Sequence, residues 1–180
     1  EIGGFERPTG LAVNKEESLL YVVDSGAHDV KVFDLNGTFV KKIGSRGGKD
    51  GEFNFPVGIF LDHRGDIYVT DTMNFRLQIF DKDGRFITKF GENGDGTGSM
   101  ARPKGVAVDS DGNIYIADAI FDTVQIFDRD GNFLLNFGST GSGAANMWMP
   151  SGVFIDDSSF IYVADSYNRR VQVFEYIGNK

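Results

Sequence analysis

The chain has 180 residues, 41% of them hydrophobic and 24% charged, with a formal net charge of −8. That composition fits a globular chain with a core of its own, and the acidic balance argues against DNA, and disfavours RNA, because phosphate binding needs clustered Lys and Arg. No apolar run approaches the roughly 18–20 residues of a membrane-spanning helix, and the absence of cysteine removes disulfides, thiolate metal sites and cysteine nucleophiles.

Repeat 1 opens with Phe5–Gly10 and a short strand at Leu11–Val13. Further strands are expected at Leu19–Val23, Val30–Phe33 and Thr38–Ile43, with polar turns between them and a glycine-rich connection, Gly44–Asn54, behind. Repeat 2 restarts at Phe53 and turns at Asp62–Gly65 and Asp81–Gly84. Repeat 3 restarts at Met100 and turns at Asp109–Gly112 and Asp128–Gly131. Repeat 4 restarts at Met147 and reaches Lys180 where its fourth strand is expected to begin. The repeats are bounded at about 3–49, 50–97, 98–144 and 145–180, within one domain.

The spacing is fixed. Tyr21, Tyr68, Tyr115 and Tyr162 lie 47 residues apart, as do Asp24, Asp71, Asp118 and Asp165. A period of that length with four short strands per repeat is the pattern of propeller blades. Strands apolar on both faces support it: Val171 and Val173 point one way, Gln172 and Phe174 the other, as expected of a sheet covered on both sides. Connections of four to six residues inside a repeat suit antiparallel hairpins.

The strand-and-loop segments Asp71-Thr-Met-Asn-Phe-Arg76 and Asp165-Ser-Tyr-Asn-Arg-Arg170, with the recurring Pro-x-Gly and Phe-Gly elements, resemble the NHL repeat. Repeats 1 and 3 depart from it, with Ala27 and Phe121 in place of the Asn and Asp29 and Thr123 in place of the Arg, so their loops are expected to be shaped differently. The resemblance implies an all-β propeller of four-stranded antiparallel blades. About four blades are present, and a piece of a six-bladed propeller is favoured over a closed four-bladed ring or assembly with another chain. The sequence does not open with Met, which fits a processed product or a fragment. An extracellular or periplasmic setting is expected ahead of a cytoplasmic one.

The chemistry-bearing motifs mostly read as architecture. Asp81, Asp83 and Glu92 match three calcium-loop positions, but Arg85 stands where a ligand is needed. Hairpin turns, with Asp bonding its own backbone and Gly supplying positive φ, explain the Asp-x-Asp-Gly segments better. The four recurring aspartates are expected to accept backbone N–H bonds in the following loop rather than ring a channel. Arg76 and Arg170 are expected to pair with neighbouring carboxylates or carbonyls. Phe5, Phe53, Met100 and Met147 form one repeated core anchor.

What varies between repeats points to binding. Equivalent loop positions carry His28, Phe75, Asp122 and Arg169, and the position two before them carries Gly26, Met73, Ile120 and Tyr167. A fixed frame with varied loops on one face presents a binding surface. Trp148, the only tryptophan, replaces smaller or polar residues and is expected to be exposed. The candidate contact set is His28, Phe75, Arg76, Asp122, Trp148, Tyr167, Arg169 and Arg170. The expected partner is a protein or peptide, with self-association or completion by further blades as alternatives. No catalytic residue, metal site or cofactor is assigned. His28 and His63, the only histidines, fall at opposite ends of their strands. The resemblance also implies a rival, since some relatives of this fold are lyases or hydrolases with multi-histidine metal sites; here those residues would have to lie in blades absent from this chain. RNA binding, known for some animal members, is third.

Overall fold

The computed structural model describes residues 1–175. They form fifteen strands, one 3-10 turn at Thr72–Asn74 and no α-helix. Two compact units divide the chain, Glu1–Glu92 and Asn93–Lys180.

In unit 1, β1 (Pro8–Asn14), β2 (Leu19–Asp24), β3 (Asp29–Asp34) and β4 (Phe39–Ile43) make one antiparallel meander, blade 1. Blade 2 follows with β5 (Pro56–Leu61), β6 (Ile67–Asp71), β7 (Arg76–Phe80) and β8 (Phe86–Phe90). In unit 2, β9 (Pro103–Val108), β10 (Ile114–Asp118), β11 (Thr123–Phe127) and β12 (Phe133–Phe137) form blade 3. Blade 4 comprises β13 (Pro150–Ile155), β14 (Phe160–Asp165) and β15 (Arg170–Glu175). The fourth strand expected after β15 lies outside the described residues.

The turns close as their residue types dictate. Asp81 Oδ1 accepts N–H bonds from Asp83 at 2.9 Å and Arg85 at 2.8 Å, and Gly84 takes φ 86°. Asp34 and Asp128 repeat the arrangement. On the other hairpin, Asp62, Asp109 and Asp156 do the same and also accept the hydroxyls of Tyr68, Tyr115 and Tyr162 at 3.0, 3.1 and 2.9 Å. These carboxylates are consumed by backbone and phenol, which is the turn role and not a calcium loop.

Within each unit the blades stack face to face. Tyr21, Val23, Val30 and Val32 of blade 1 pack on Ile59, Ile67, Val69 and Phe80 of blade 2. Tyr115, Ala117, Val124 and Ile126 of blade 3 pack on Ile161 and Val163 of blade 4. The first strands approach closely: a Cβ on Gly105 would lie 2.7 Å from the Gly152 Cα, so the recurring Pro-x-Gly is a steric requirement.

Two expectations need correction. The strands of blade 4 are not covered on both faces in the described chain: Val171 is 63% and Val173 54% exposed, because nothing packs on the side opposite Ile161 and Val163. Blade 1 is open in the same way at Leu11 and Val13. Of the repeated anchor, Phe53, Met100 and Met147 are fully buried, whereas Phe5 is half-buried and meets Phe33 edge-on at 5.6 Å.

Candidate functional site

The loops joining the second and third strands of each blade hold the candidate residues, and one buried aspartate organises each loop. Asp24 Oδ1 accepts the Arg7 N–H at 2.7 Å and Oδ2 the Glu6 N–H at 2.9 Å. Asp71 takes Asn54 N–H at 2.6 Å, Asp118 takes Ala101 and Arg102, and Asp165 takes Trp148 at 2.8 Å. The aspartates therefore fasten chiefly the connection that precedes their blade. The following loop is a secondary client, as at Ile120 N–H, 3.0 Å from Asp118 Oδ1.

Around that core, blades 2 and 4 build the same network. Arg76 Nε donates to Asp71 at 2.8 Å, and its terminal nitrogens donate to the carbonyls of Gly48, Lys49 and Glu52 at 2.8 to 3.0 Å. Arg170 does so with Asp165 and the carbonyls of Ser142, Gly143 and Asn146. Gln78 and Gln172 add a bond to the same aspartate and the same last carbonyl. In blade 1 the cation comes from another position: Lys31, where the others have Gln, meets Asp24 at 2.6 Å and Asp29 at 3.0 Å.

Protonation follows these surroundings. Burial pushes the Asp24 carboxyl up, but the Lys31 ammonium and three backbone N–H groups outweigh it and hold it at about 2. Burial also works against Asp165, and there the Trp148 N–H, Asn168 and Arg170 win, lowering it. Asp71 sits deeper, beside an arginine that is itself buried, and burial leaves it raised. Asn54, Asn74 and Arg76 oppose that rise without overcoming it.

The eight candidate residues fall into three groups. His28, Arg76 and Asp122 are buried. His28 Nδ1 accepts the Phe55 N–H at 3.1 Å, which requires that nitrogen to carry no proton, and Asp122 Oδ1 accepts the Met149 N–H at 2.7 Å. Both bonds run from one blade to the start of the next, 27 residues on, and act as latches within each unit. Phe75 and Arg169 occupy the same loop position but carry no acceptor. All four share a left-handed backbone, with φ of 59°, 56°, 55° and 55° for His28, Phe75, Asp122 and Arg169. The loops of repeats 1 and 3, expected to differ in shape, keep this bend and differ in their side-chain networks. Phe75 and Arg170 are half-buried, Arg170 within its network.

The third group is exposed. Trp148 and Tyr167 are 51% and 59% exposed, and their rings lie 5.4 Å apart. They meet because the Tyr167 N–H donates to the Trp148 carbonyl at 3.1 Å while the Trp148 N–H donates to Asp165. Arg169 is exposed on the same loop, and Ile120 is exposed on the corresponding loop of blade 3. The Gln row and the latches escaped the sequence reasoning. The recurrence of Gln78, Gln125 and Gln172 was a signal for the first; nothing local signals the second. Among the described residues no group of three or more His, Cys, Asp or Glu side chains lies together in a way that could hold a metal.

Residues 147–174 match the NHL repeat, and residues 61–124 match a family described as a 6-bladed beta-propeller. The chain carries an NHL repeat on a β-propeller fold. No curated protein sequence matches it. Among solved structures, the NHL-repeat chain is similar to a streptogramin B lyase, at 14% identity and a TM-score of 0.69, over 96% of this chain and 55% of that one. It is similar to a Bacteroides thetaiotaomicron protein of unknown function, at 19% identity and a TM-score of 0.73, over 92% and 46%. It is also similar to the hydrazine synthase of Kuenenia stuttgartiensis, at 14% identity and a TM-score of 0.66, over 97% and 51%. These likenesses describe the fold, and the NHL-repeat chain spans about half the length of the structures it matches.

Proposed function

We propose that the NHL-repeat chain is a non-catalytic scaffold that binds a protein or an exposed peptide through the loops between the second and third strands of its blades. One observation carries this: Trp148 and Tyr167 stand together, half or more exposed, on backbone tied down by Asp165. Large aromatic side chains held in place at low entropic cost are typical anchors of binding surfaces. Exposed Arg169 adds a cation on the same loop, and exposed Ile120 offers apolar area on the corresponding loop of blade 3. The repeats act together as one propeller domain. The apolar faces left open on blades 1 and 4 favour completion by further blades of the same kind, since faces of that composition are seldom left in water.

The test is selection of peptides from a display library on the wild-type chain, followed by affinity measurement on a W148A/Y167A variant. Removing both rings is expected to weaken the selected peptides at least about tenfold, with the far-UV circular dichroism unchanged. Undiminished binding to a folded double variant would overturn the assignment of this edge.

A further inference from the structure

Each of the four recurring aspartates is fully buried. A buried carboxylate is costly to maintain without a cation. Asp24 has Lys31, Asp71 has Arg76 and Asp165 has Arg170, at 2.6, 2.8 and 2.8 Å. Asp118 forms no ion pair among the described residues. Its oxygens accept only from the backbone N–H groups of Ala101, Arg102, Ile120 and Phe121.

The cause is one substitution. Thr123 stands where blades 2 and 4 have Arg76 and Arg170. Its hydroxyl donates to the Phe137 carbonyl at 2.7 Å and reaches nothing in the preceding connection. Beside Thr123 lies an open cavity of about 450 Å³, lined among others by Asp95, Gly96, Gly98, Thr123 and Gln125. Asp95, Gly96 and Ser99 are the register equivalents of Gly48, Lys49 and Glu52, whose carbonyls hold Arg76. They are equally the equivalents of Ser142, Gly143 and Asn146, whose carbonyls hold Arg170. Gln125 keeps its part of the network, donating to the Ser99 carbonyl at 2.9 Å. The connection around the cavity is also tied less. Phe53 and Met147 bridge to Arg46 and Thr140, but Met100 has no such bridge among the described residues.

We propose that the blade 3 cavity is a receptor for a guanidinium group brought by another molecule, namely an arginine side chain of a peptide or protein partner. That source rests on the scaffold function proposed above; the recognition chemistry stands on this chain's own two filled copies of the site. The cavity offers Asp95 and Gly96, two of the three positions whose equivalents hold a guanidinium through their carbonyls elsewhere in the same fold, and the exposed Asp95 side chain adds a carboxylate at the rim. A planar group with five donors matches several divergent carbonyls better than an ammonium does.

The probe is N-acetyl-arginine methylamide, titrated into the wild-type chain with binding followed by backbone amide NMR shifts. Saturable binding is expected with a Kd on the order of millimolar, as suits so small a ligand, with the shifts centred on residues 95–99 and 123–125. N-acetyl-lysine methylamide should bind at least about fivefold more weakly. T123R, which supplies the arginine internally, should abolish binding and raise the melting temperature. T123L blocks the cavity with hydrocarbon and provides the same loss of binding should T123R fold poorly. Absence of saturable binding to wild type, or unchanged binding to a folded T123R or T123L chain, overturns the proposal. The W148A/Y167A variant should bind the arginine analogue as wild type does, so failure of the aromatic edge and failure of this cavity are read separately.

Discussion

Replacing Tyr21 with phenylalanine is expected to leave the chain as stable as before or more so, while the same change at Tyr68 weakens it. Both rings are fully buried, at equivalent places in blades 1 and 2. The Tyr68 hydroxyl donates to Asp62 at 3.0 Å, whereas the Tyr21 hydroxyl is buried with no hydrogen-bond partner. The difference begins in the turn. Tyr21 pairs with Ala12, nine residues back, and Tyr68 with Phe60, eight back, so the first hairpin carries one residue more. Asn14 replaces the turn aspartate, and its Oδ1 is occupied by the Glu17 N–H at 3.0 Å. A hydrogen bond to a charged group contributes about 1.5–3 kcal/mol, and an unsatisfied buried polar group costs about 1–3 kcal/mol. Y68F should therefore lose about 2 kcal/mol and Y21F should gain up to about 1 kcal/mol. At roughly 2–4 °C per kcal/mol for a chain of this size, the two melting temperatures should separate by at least about 4 °C. Far-UV circular dichroism is the suitable probe, because Trp148 lies in the other unit and its fluorescence reports a different place. If Y21F melts as early as Y68F, the hydroxyl has a partner and the reasoning fails.

Removing the two network arginines should have unequal effects. R76M strands a buried carboxylate and should cost about 3–5 kcal/mol, while R170M, whose side chain is already 32% exposed against 7% for Arg76, should cost about 1–2 kcal/mol. Equal losses in urea denaturation would argue against burial as the deciding factor. The Asp24 carboxyl, held at about 2 from an ordinary 3.8, contributes stability that is complete above about pH 5 and is lost as pH falls through 4 toward 2. That contribution is at most about 2 kcal/mol. K31M should be less stable at neutral pH and should show a shallower decline between pH 5 and 2; an unchanged acid limb would show that Lys31 does not set it.

Strand order, turn types and the structural role of the aspartates were legible because each depends on residues within one repeat. Asp81 and Gly84 state their turn locally, and the fixed spacing carries it to Asp34 and Asp128 in blades 1 and 3. Burial of His28 and Asp122 was not legible, because their partners, Phe55 and Met149, belong to the following blade. Variation at that position looked like surface variation, yet two of its four residues face inward. The exposure of Val171 and Val173 was missed for the opposite reason. Their apolar character states what the strand can pack against, not whether a neighbour is there. Trp148 and Tyr167 were each recognised alone; their meeting follows from the Asp165 tether, which the Trp148 N–H and Tyr167 N–H bonds make visible only in three dimensions.

The left-handed bend shared by His28, Phe75, Asp122 and Arg169 has a consequence for how such a chain can change. An L residue with a side chain is strained there by roughly 1–2 kcal/mol, and glycine would relieve it. Since four different residues hold the same bend, the loop's tethers and not the residue impose it. The position works like a socket of fixed shape: an acceptor placed in it fastens the next blade, and an apolar or cationic side chain leaves that task undone. A lineage can thus exchange cohesion between blades for new surface chemistry by one codon, without redrawing the loop.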